Sequence, residues 1–294
     1  MRISEQKLFK NKAQAIGIGL FLLLAVLPLV LGIIYALLYS LGIIGLVSDG
    51  FTLSYWEQAL SDPEFWISIV YTFYIALTTI ALTITGGLFL SLYLHKPLQK
   101  GLPGFSVYVP LAFPAIVVAF IVFQLASQSG FFARIAFQLG FIANTAAFPE
   151  LVNDPFGIGI IAAHTFMAMP FFTLYFTNLY HQENIAELSQ VGQTLGAGRW
   201  AQLRRIIVPM LLKRAFPTLT LYTIFVMGSY EIPLILGRQT PQMMSVLVIR
   251  KLRQFSLSTI PEAYITALVF IAIIISILVF LFKSRKLSYD LDQQ

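Results

Sequence analysis

The sequence predicts an all-α membrane protein with six transmembrane helices. Hydrophobic residues make up 58% of its 294 residues and charged residues only 11%, whereas a soluble domain carries roughly a quarter of its residues as charged side chains. Six apolar segments are each long enough to cross about 30 Å of hydrocarbon, which takes roughly 20 helical residues. Most ionisable residues lie between these segments. A chain of this composition lacks the polar surface that a water-soluble fold needs.

We predict one transmembrane domain over residues 1–294, with spans at 14–40, 66–94, 105–126, 157–180, 215–236 and 262–282. The first span follows several lysines, but its apolar stretch is too long for the core of a cleaved signal peptide. It is therefore predicted to be a retained helix, with a kink at Pro28 that neighbouring helices tolerate. The later spans are separated by turn-forming sequences such as Ser61-Asp62-Pro63.

The distribution of positive charge predicts cytoplasmic N- and C-termini. This orientation leaves outside only a minority of the 19 Lys and Arg, namely Arg134, Arg238, Arg250, Lys251 and Arg253, in agreement with the positive-inside rule. The last three form a basic cluster that goes against the rule. Three explanations remain open: a surface for an acidic binding protein, attraction of an anionic solute, or a solvated loop face.

Several classes of function lack the residues they require. The chain has no cysteine, no glycine-rich phosphate-binding loop, no zinc-binding His-Glu-x-x-His motif and no Gly-x-Ser-x-Gly turn. We therefore predict that it is not an enzyme and binds neither cofactor, metal nor nucleic acid. Only His164 and Glu231 place ionisable groups clearly within or beside hydrocarbon, which disfavours the alternative of a self-sufficient carrier driven by an ion gradient. Energy for uphill transport is expected to come from a partner.

The polar loop 181–214 is predicted to fold as a helix, a break and a second helix. Asn184 is expected to cap the first helix with Glu187, and Gly196 and Gly198 to end it. An apolar face recurs at helical spacing in Ile185, Leu188, Val191 and Leu195.

A second amphipathic segment follows from Trp200, and Pro209 is predicted to stop it. Gly192 and Gly196 are expected to leave a bare patch for close approach of another backbone. From these patterns alone, a helix that lies on the membrane surface and a helix that docks onto a partner are both open.

The loop resembles the signature loop of permeases of binding-protein-dependent ABC importers. That signature reads Glu-Ala-Ala, three residues, Gly, and then a spacer ending in Ile-x-x-Pro. The corresponding residues here are Gln190-Val191-Gly192, Gly196-Ala197, Arg199-Trp200 and Ile206-Ile207-Val208-Pro209. Gln190 replaces the acid of the family, so a salt bridge made by that acid is not expected. The segment Gly228 to Gly237, with Glu231-Ile232-Pro233 at its centre, resembles the subgroup that imports polyamines, ferric iron, thiamine or small oxyanions.

The resemblance implies a type I importer permease in a bacterial inner membrane. It implies a separate ATP-hydrolysing subunit, a second permease, which we expect to be a different six-span sibling, and an extracytoplasmic solute-binding protein. The loop 184–209 would couple the permease to the ATPase through Ala186, Glu187, Gln190, Val191, Gly192, Gly196, Ala197, Arg199 and Pro209.

The candidates for the translocation pathway are Tyr230, Glu231 and His164. An intramembrane carboxylate is by default a functional residue, but Glu231 lies near the end of its span. This place favours the alternative of an interfacial position, solvated or paired with Arg238. For His164 the alternative is a hydrogen-bonded histidine within the protein core.

Overall fold

The structure, a computed structural model, describes residues 14–45, 50–93, 105 and 107–291, with side chains described as far as residue 283. Within these ranges the regular structure is helical throughout. Six helices are long and apolar enough to cross a membrane: Gln14–Ser40, Pro63–Tyr93, Ala115–Gln138, Ile158–Gln182, Arg199–Gly228 and Thr259–Lys283. The prediction of an all-α membrane protein with six spans is confirmed.

The helices are labelled in chain order: α1 Gln14–Ser40, α2 Ser54–Ser61, α3 Pro63–Tyr93, α4 Ala115–Ala126, α5 Phe131–Gln138, α6 Ile158–Gln182, α7 Ile185–Thr194, α8 Arg199–Gly228, α9 Glu231–Leu236, α10 Met244–Arg253 and α11 Thr259–Leu291. Their residues divide into two compact units. Unit 1 comprises the described residues of Met1–Phe65 and Val248–Gln294, and unit 2 comprises Trp66–Leu247.

Unit 1 is built on α1 and α11, which pack against each other although they come from opposite ends of the chain. Tyr264 on α11 contacts the rings of Tyr35 and Tyr39 on α1, with centroid separations of 5.9 and 4.9 Å. Most of the apolar surface of α1 is exposed, as expected for a helix in contact with lipid.

Ion pairs at one end of unit 1 change the interpretation of the basic cluster. Lys251 is buried, and its ammonium lies 2.8 Å from the carboxylates of both Asp62 and Glu262. Arg250 forms an ion pair with Glu64. Two of the three cations are thus neutralised by acids of the α2–α3 junction and of α11. The prediction of a free basic surface is wrong for Arg250 and Lys251, and only Arg253 is exposed.

Unit 2 is organised around α6. Its side chains Phe172, Phe176 and Leu179 form a buried core with residues of α3, α7 and α8, chiefly Leu88, Ile185, Leu211, Ala215 and Leu219. Farther along α3, the buried hydroxyl of Thr72 accepts a hydrogen bond of 2.9 Å from the backbone N–H of Met244. The burial of α7 residue Ile185 in this core attaches the polar loop firmly to the membrane-spanning part of the unit.

Two prolines are each preceded by a π-helical turn. A five-residue π-helical turn, Leu22–Val26, precedes Pro28 in α1, and another, Leu203–Ile207, precedes Pro209 in α8. Proline has no N–H to donate and its ring crowds the carbonyl four residues earlier. A wider π turn at that place lets the helix continue through the proline. The prediction that Pro209 stops the helix is therefore wrong.

The fifth span differs from its predicted bounds of 215–236. The helix begins at Arg199, because the π turn carries it through Pro209, and it ends at Gly228. Ser229 and Tyr230 then separate it from the short helix α9. The second half of the predicted loop 181–214 is consequently the first part of this long helix.

Candidate functional site

The loop between α6 and α8 is held to the body of unit 2 at its entrance. Helix α6 ends at Gln182, and Glu183 forms a salt bridge of 3.0 Å with Arg214 on α8. Asn184 has a positive φ of 49° and its side chain makes no capping hydrogen bond. The predicted cap is wrong because an N-cap side chain needs an extended backbone, whereas Asn184 adopts the left-handed conformation that turns the chain between α6 and α7.

The end of α7 agrees with the prediction from the glycines. Gly196 has a φ of +85°, which glycine adopts without steric cost. The N–H of Gly196 donates to the carbonyl of Gln193, and the N–H of Ala197 donates to the carbonyl of Gly192, both at 2.9 Å. This pair of bonds is the Schellman motif. It ends the helix within one residue and directs the chain towards α8.

Gln202 on α8 fixes the loop from the inside. Its amide nitrogen donates to the carbonyl of Ala197 at 2.6 Å, and its amide oxygen accepts from the hydroxyl of Ser189 at 2.5 Å. The side chain is buried, and its partners Ser189 and Ala197 are partly accessible. Sequence reasoning missed Gln202, because a glutamine on an amphipathic helix is ordinarily solvent-facing.

Gly192 lies against α8 rather than at an open surface. A Cβ atom at this position would lie 2.9 Å from the Cδ1 of Ile206. The glycine is buried and permits close contact between α7 and α8 of the same chain. The predicted bare patch for an outside backbone is therefore wrong at Gly192, because the loop folds back on itself and fills that space, whereas no atom lies within 4 Å of a Cβ placed on the exposed Gly196.

The outer side of α7 carries apolar side chains that the described chain does not cover. Leu188 is 43% exposed, Val191 57% and Leu195 83%, while Ile185 is fully buried. At about 100° per residue, the three exposed residues lie roughly a quarter turn away from Ile185. We call Leu188, Val191 and Leu195 the exposed apolar face. Trp200, just beyond the turn, is 72% exposed.

The other predicted coupling residues divide between surface and interior. Ala186, Glu187, Gln190, Gly196, Arg199 and Pro209 are exposed, and Ala197 is half-buried. With the exposed apolar face, the accessible residues from Ala186 to Arg199 extend along α7 to the start of α8, and Pro209 lies farther along α8. Gly192 is the exception: it is buried, and it permits the close contact between α7 and α8.

The predicted pathway residues meet near the break between α8 and α9. His164 is buried in α6, and its Nε2 shares a hydrogen bond of 3.0 Å with the hydroxyl of Ser229. The hydroxyl of Tyr222 donates to the carbonyl of His164 at 3.1 Å, and that of Ser245 donates to the carbonyl of Ser229. These bonds hold the non-helical segment Ser229–Tyr230 in place. Sequence reasoning singled out His164 but missed its partner Ser229.

Tyr230 is half-buried and Glu231 is exposed at the start of α9. Within the described residues, Glu231 has no ion-pair partner, so the predicted alternative of a pair with Arg238 is not found. The described residues also contain no group of three or more His, Asp and Glu side chains placed to hold a metal ion.

Comparisons with known proteins agree with the resemblance of the loop. Residues 83–285 match the sequence model of a family described as "Binding-protein-dependent transport system inner membrane component". A curated relative, the probable ABC transporter permease protein y4fN of Sinorhizobium fredii, is 26% identical over 179 residues. The match covers 59% of this chain and only 30% of the relative's length.

Two solved structures share the fold. The structure of a bacterial ABC transporter that imports the acidic polysaccharide alginate contains a chain that matches with a TM-score of 0.64 and 17% identity, over 97% of this chain and 98% of that one. A second, of a bacterial alginate ABC transporter in complex with a periplasmic protein bound to alginate pentasaccharide, matches with a TM-score of 0.64 and 15% identity, over 95% of both chains.

Proposed function

The chain belongs to the family of binding-protein-dependent transport system inner membrane components, and from this membership we propose that it is the permease subunit of an ATP-binding-cassette importer. In this role it forms the solute pathway and hydrolyses no ATP itself. The observation that carries the proposal is the exposed apolar face of α7, which lies on an otherwise polar loop outside the long apolar spans.

The exposed apolar face is suited to a protein partner. Burying one leucine or valine side chain contributes about 1.5–3 kcal/mol, and three such side chains at helical spacing form the pattern by which an amphipathic helix enters a groove. The same loop carries the exposed polar side chains Glu187, Gln190 and Arg199. We assign the groove to the ATP-hydrolysing subunit, and the accessible residues from Ala186 to Arg199 to the contact.

The contacts between α7 and α8 are suited to transmit movement from one helix to the other. Gln202 joins both the middle of α7 and the following turn to α8, and the salt bridge between Glu183 and Arg214 joins the preceding turn to α8 as well. A displacement of α7 by the ATPase therefore moves α8, whose far end lies at the break beside Glu231. ATP drives alternating access only through the different affinities of the ATPase for the two states of the permease.

The pathway is proposed to include Tyr230 and Glu231, with His164 as the residue that holds the break. A carboxylate without an ion-pair partner is costly against lipid, so Glu231 is expected to face water or solute. Discontinuous helices form binding sites in many transporters. The second permease, expected to be a six-span sibling, would complete the pathway.

The solute is proposed to be a small cation such as a polyamine, ferric iron or thiamine. The basic cluster was the sequence feature that favoured an oxyanion, and Arg250 and Lys251 are neutralised by ion pairs. The likeness to chains of alginate importers lies below 20% identity and concerns the fold alone. An extracytoplasmic binding protein, like the periplasmic protein of the second alginate transporter structure, would deliver the solute.

The chain is proposed to lie in a bacterial inner membrane with both termini in the cytoplasm. The loop 181–214 carries Arg199, Arg204 and Arg205, and the positive-inside rule assigns such a loop to the cytoplasm. This orientation puts α7 on the same side as ATP.

The docking role is tested by introducing a charge into the exposed apolar face. Leu195→Glu places a carboxylate in the proposed groove, whereas Gln193→Glu, on the polar side of the same helix, is the matched control. Each variant is isolated from its native membrane in mild detergent, and copurifying subunits are quantified by mass spectrometry. We expect a Walker-motif ATPase and a second six-span subunit with the wild type and the control, and loss of the ATPase alone with Leu195→Glu.

Two results would contradict the proposal. If Leu195→Glu retains the ATPase as well as the control does, α7 is not the docking helix. If the wild-type chain is recovered alone from several detergents, a self-sufficient carrier driven by an ion gradient takes the place of the importer subunit.

A further inference from the structure

An open cavity lies at the end of α6 that is opposite to α7. Its volume is about 480 Å³, which is within the range of small-molecule sites in proteins. It lies between the turn that follows α4 and the segment that leads into α6. None of its residues belongs to the loop 181–214 or to the break beside Glu231. The polar residues that line it are Ser127, Gln128, Ser129, Thr145, Glu150 and Asn153.

The side chain of Gln128 holds the two walls of the cavity together. Its amide nitrogen donates to the carbonyls of Ala146 and Phe148, at 3.4 and 3.3 Å. The bonds join the turn after α4 to the short 3₁₀ turn Thr145–Ala147 and to the residue that follows it. Since both bonds use the amide nitrogen, the amide oxygen of Gln128 remains available as an acceptor.

Glu150 gives the cavity a negative charge. It is exposed, and it has no ion-pair partner among the residues that the structure describes. No described Lys, Arg or His lines the cavity. Arg134 is nearby, but its Nε donates to the backbone carbonyl of Ser129 at 3.0 Å and the residue lines a separate cavity. The cavity therefore offers one carboxylate together with neutral hydroxyl and amide oxygens.

Oxygen acceptors around one carboxylate suit an organic ammonium group. An ammonium has several N–H donors and no acceptor, so it can bind the Glu150 carboxylate and neutral oxygens at the same time. A metal ion such as ferric iron needs several close ligands. The described part of the chain has no group of three or more His, Asp and Glu side chains placed to hold one. An oxyanion would be repelled by the carboxylate.

Resting on the proposed function, we propose that this cavity is an entry site for a polyamine solute, and that Glu150 binds an ammonium group of the solute there. The proposed orientation places the cavity outside the cytoplasm, because α7 lies at the other end of α6. The binding protein then releases the solute beside Glu150. Among the small cations considered above, a polyamine has the N–H donors that this site requires.

The wall of the cavity is joined to the helix that begins at Glu231. The backbone N–H of Asn153 donates to the carbonyl of Leu236, the last residue of α9, at 2.8 Å. Along α9, Leu236 and Glu231 are separated by about 8 Å of helix. Two carboxylates, Glu150 at the entrance and Glu231 at the break, thus offer successive sites to a solute that carries more than one ammonium group.

The absence of cysteine from the sequence makes a direct test of charge available. Ala146→Cys places a thiol in the wall of the cavity, and Phe141→Cys, at a position that is 78% exposed outside the cavity, is the matched control. The whole transporter is studied in right-side-out membrane vesicles. Two membrane-impermeant methanethiosulfonates, one with a trimethylammonium and one with a sulfonate group, are added outside. The intact mass of the purified chain then gives each rate of modification.

We expect the ratio of the cationic to the anionic rate to be about tenfold higher at Ala146→Cys than at Phe141→Cys, because Glu150 attracts one reagent and repels the other. Adding Glu150→Gln should remove this excess. Adding Glu57→Gln, which removes another exposed acid, should preserve it. Spermidine at constant ionic strength should slow the cationic reagent at Ala146→Cys, and Glu150→Gln should abolish this protection.

Four results would overturn the entry site. They are equal ratios at the two cysteines, an excess that survives Glu150→Gln, a thiol at 146 that neither reagent reaches from outside, and a lack of protection by spermidine. Each of these leaves the ATPase among the copurifying subunits, so the importer proposal stands. A chain recovered without the ATPase contradicts the proposed function instead, whatever the charge preference at 146.

Discussion

One amide side chain, that of Gln202, binds both the carbonyl of Ala197 and the hydroxyl of Ser189. It therefore joins the middle of α7 to the turn that follows this helix. A buried amide with both ends satisfied specifies one arrangement of its neighbours. The position of the exposed apolar face consequently depends on a residue that does not belong to it.

Gln202→Ala is expected to loosen the loop. The substitution leaves the Ala197 carbonyl and the Ser189 hydroxyl without their partner, which costs about 1–3 kcal/mol. Amide hydrogen exchange over 185–198 should become faster, and less ATPase should copurify. Gln193→Ala, on the exposed side of α7, is the control. Equal exchange in the two variants would show that Gln202 does not hold the loop.

Gly196 is expected to tolerate asparagine better than alanine. A left-handed backbone costs an ordinary residue roughly 1–2 kcal/mol, whereas asparagine adopts it more readily. No neighbouring atom lies within 4 Å of a Cβ at this position, so the backbone alone decides the result. Gly196→Ala should speed exchange in α7, and Gly196→Asn should restore most of the protection. Similar effects of the two substitutions would mean that the positive φ is not maintained in solution.

Lys251→Met is expected to destabilise unit 1 strongly. The substitution leaves the carboxylates of Asp62 and Glu262 beside each other without their common cation. Removing one partner of a buried ion pair costs several kcal/mol, and we expect roughly 2–3 kcal/mol because both acids keep some contact with water. Thermal unfolding in detergent measures the loss. Arg253→Met, on the exposed side of the same helix, should leave the unfolding temperature unchanged, and a comparable fall in this control would contradict the assignment.

Stability is expected to fall at low pH through Asp62. Burial by itself raises the pKa of this carboxyl, but hydrogen bonds from Lys251 and the backbone N–H of Glu64, with the charges of Lys251 and Arg250, outweigh it and hold the pKa below 3.8. A depressed pKa in the folded state adds stability above the unfolded value, and this is lost as the pH falls through the folded value. Asp62→Asn should therefore flatten the decline of the unfolding temperature below pH 3.8.

The ion pairs of Lys251 predict a second decline of stability, at high pH. Burial lowers the pKa of Lys251, but its bonds to Asp62 and Glu262 outweigh that effect and raise the pKa above 10.5. A raised pKa contributes stability below the unfolded value, which is lost as the pH rises through the folded value. Between the unfolded pKa values of Asp62 and Lys251, these ion pairs should contribute a constant stability.

The exposed Glu57→Gln is the control for the acid prediction. If its unfolding temperature follows the same acid profile as that of Asp62→Asn, Asp62 has no special place in acid stability.

The sequence was sufficient where a feature depends on local chemistry. The lengths of the apolar segments predicted six spans, and Gly196 predicted the end of α7, because a left-handed backbone at a helix end requires a residue such as glycine. Both predictions depend on residues that are close together along the chain.

The wrong predictions involve partners that are distant in sequence or adjustments of the backbone. Glu64 lies 186 residues from Arg250, so the spacing of charges gave no sign that the basic cluster is neutralised. Ile206 occupies the space beside Gly192, which requires the loop to fold back on itself. The π turn before Pro209 accommodates the ring by widening the helix, and no residue type is specific to such a turn.

Unit 1 combines α1 and α11, which are far apart in sequence, and this affects when the two helices can pack during synthesis. Helix α1 leaves the ribosome well before its packing partner α11, which follows only after the whole of Trp66–Leu247 has been made. At bacterial rates of translation this interval is on the order of 10–40 s. During that time the tyrosines that meet Tyr264 in the finished protein have no partner from α11. During synthesis α1 therefore lacks its contact with α11, and this side of the helix is accessible to chaperones and quality-control proteases until α11 has been made.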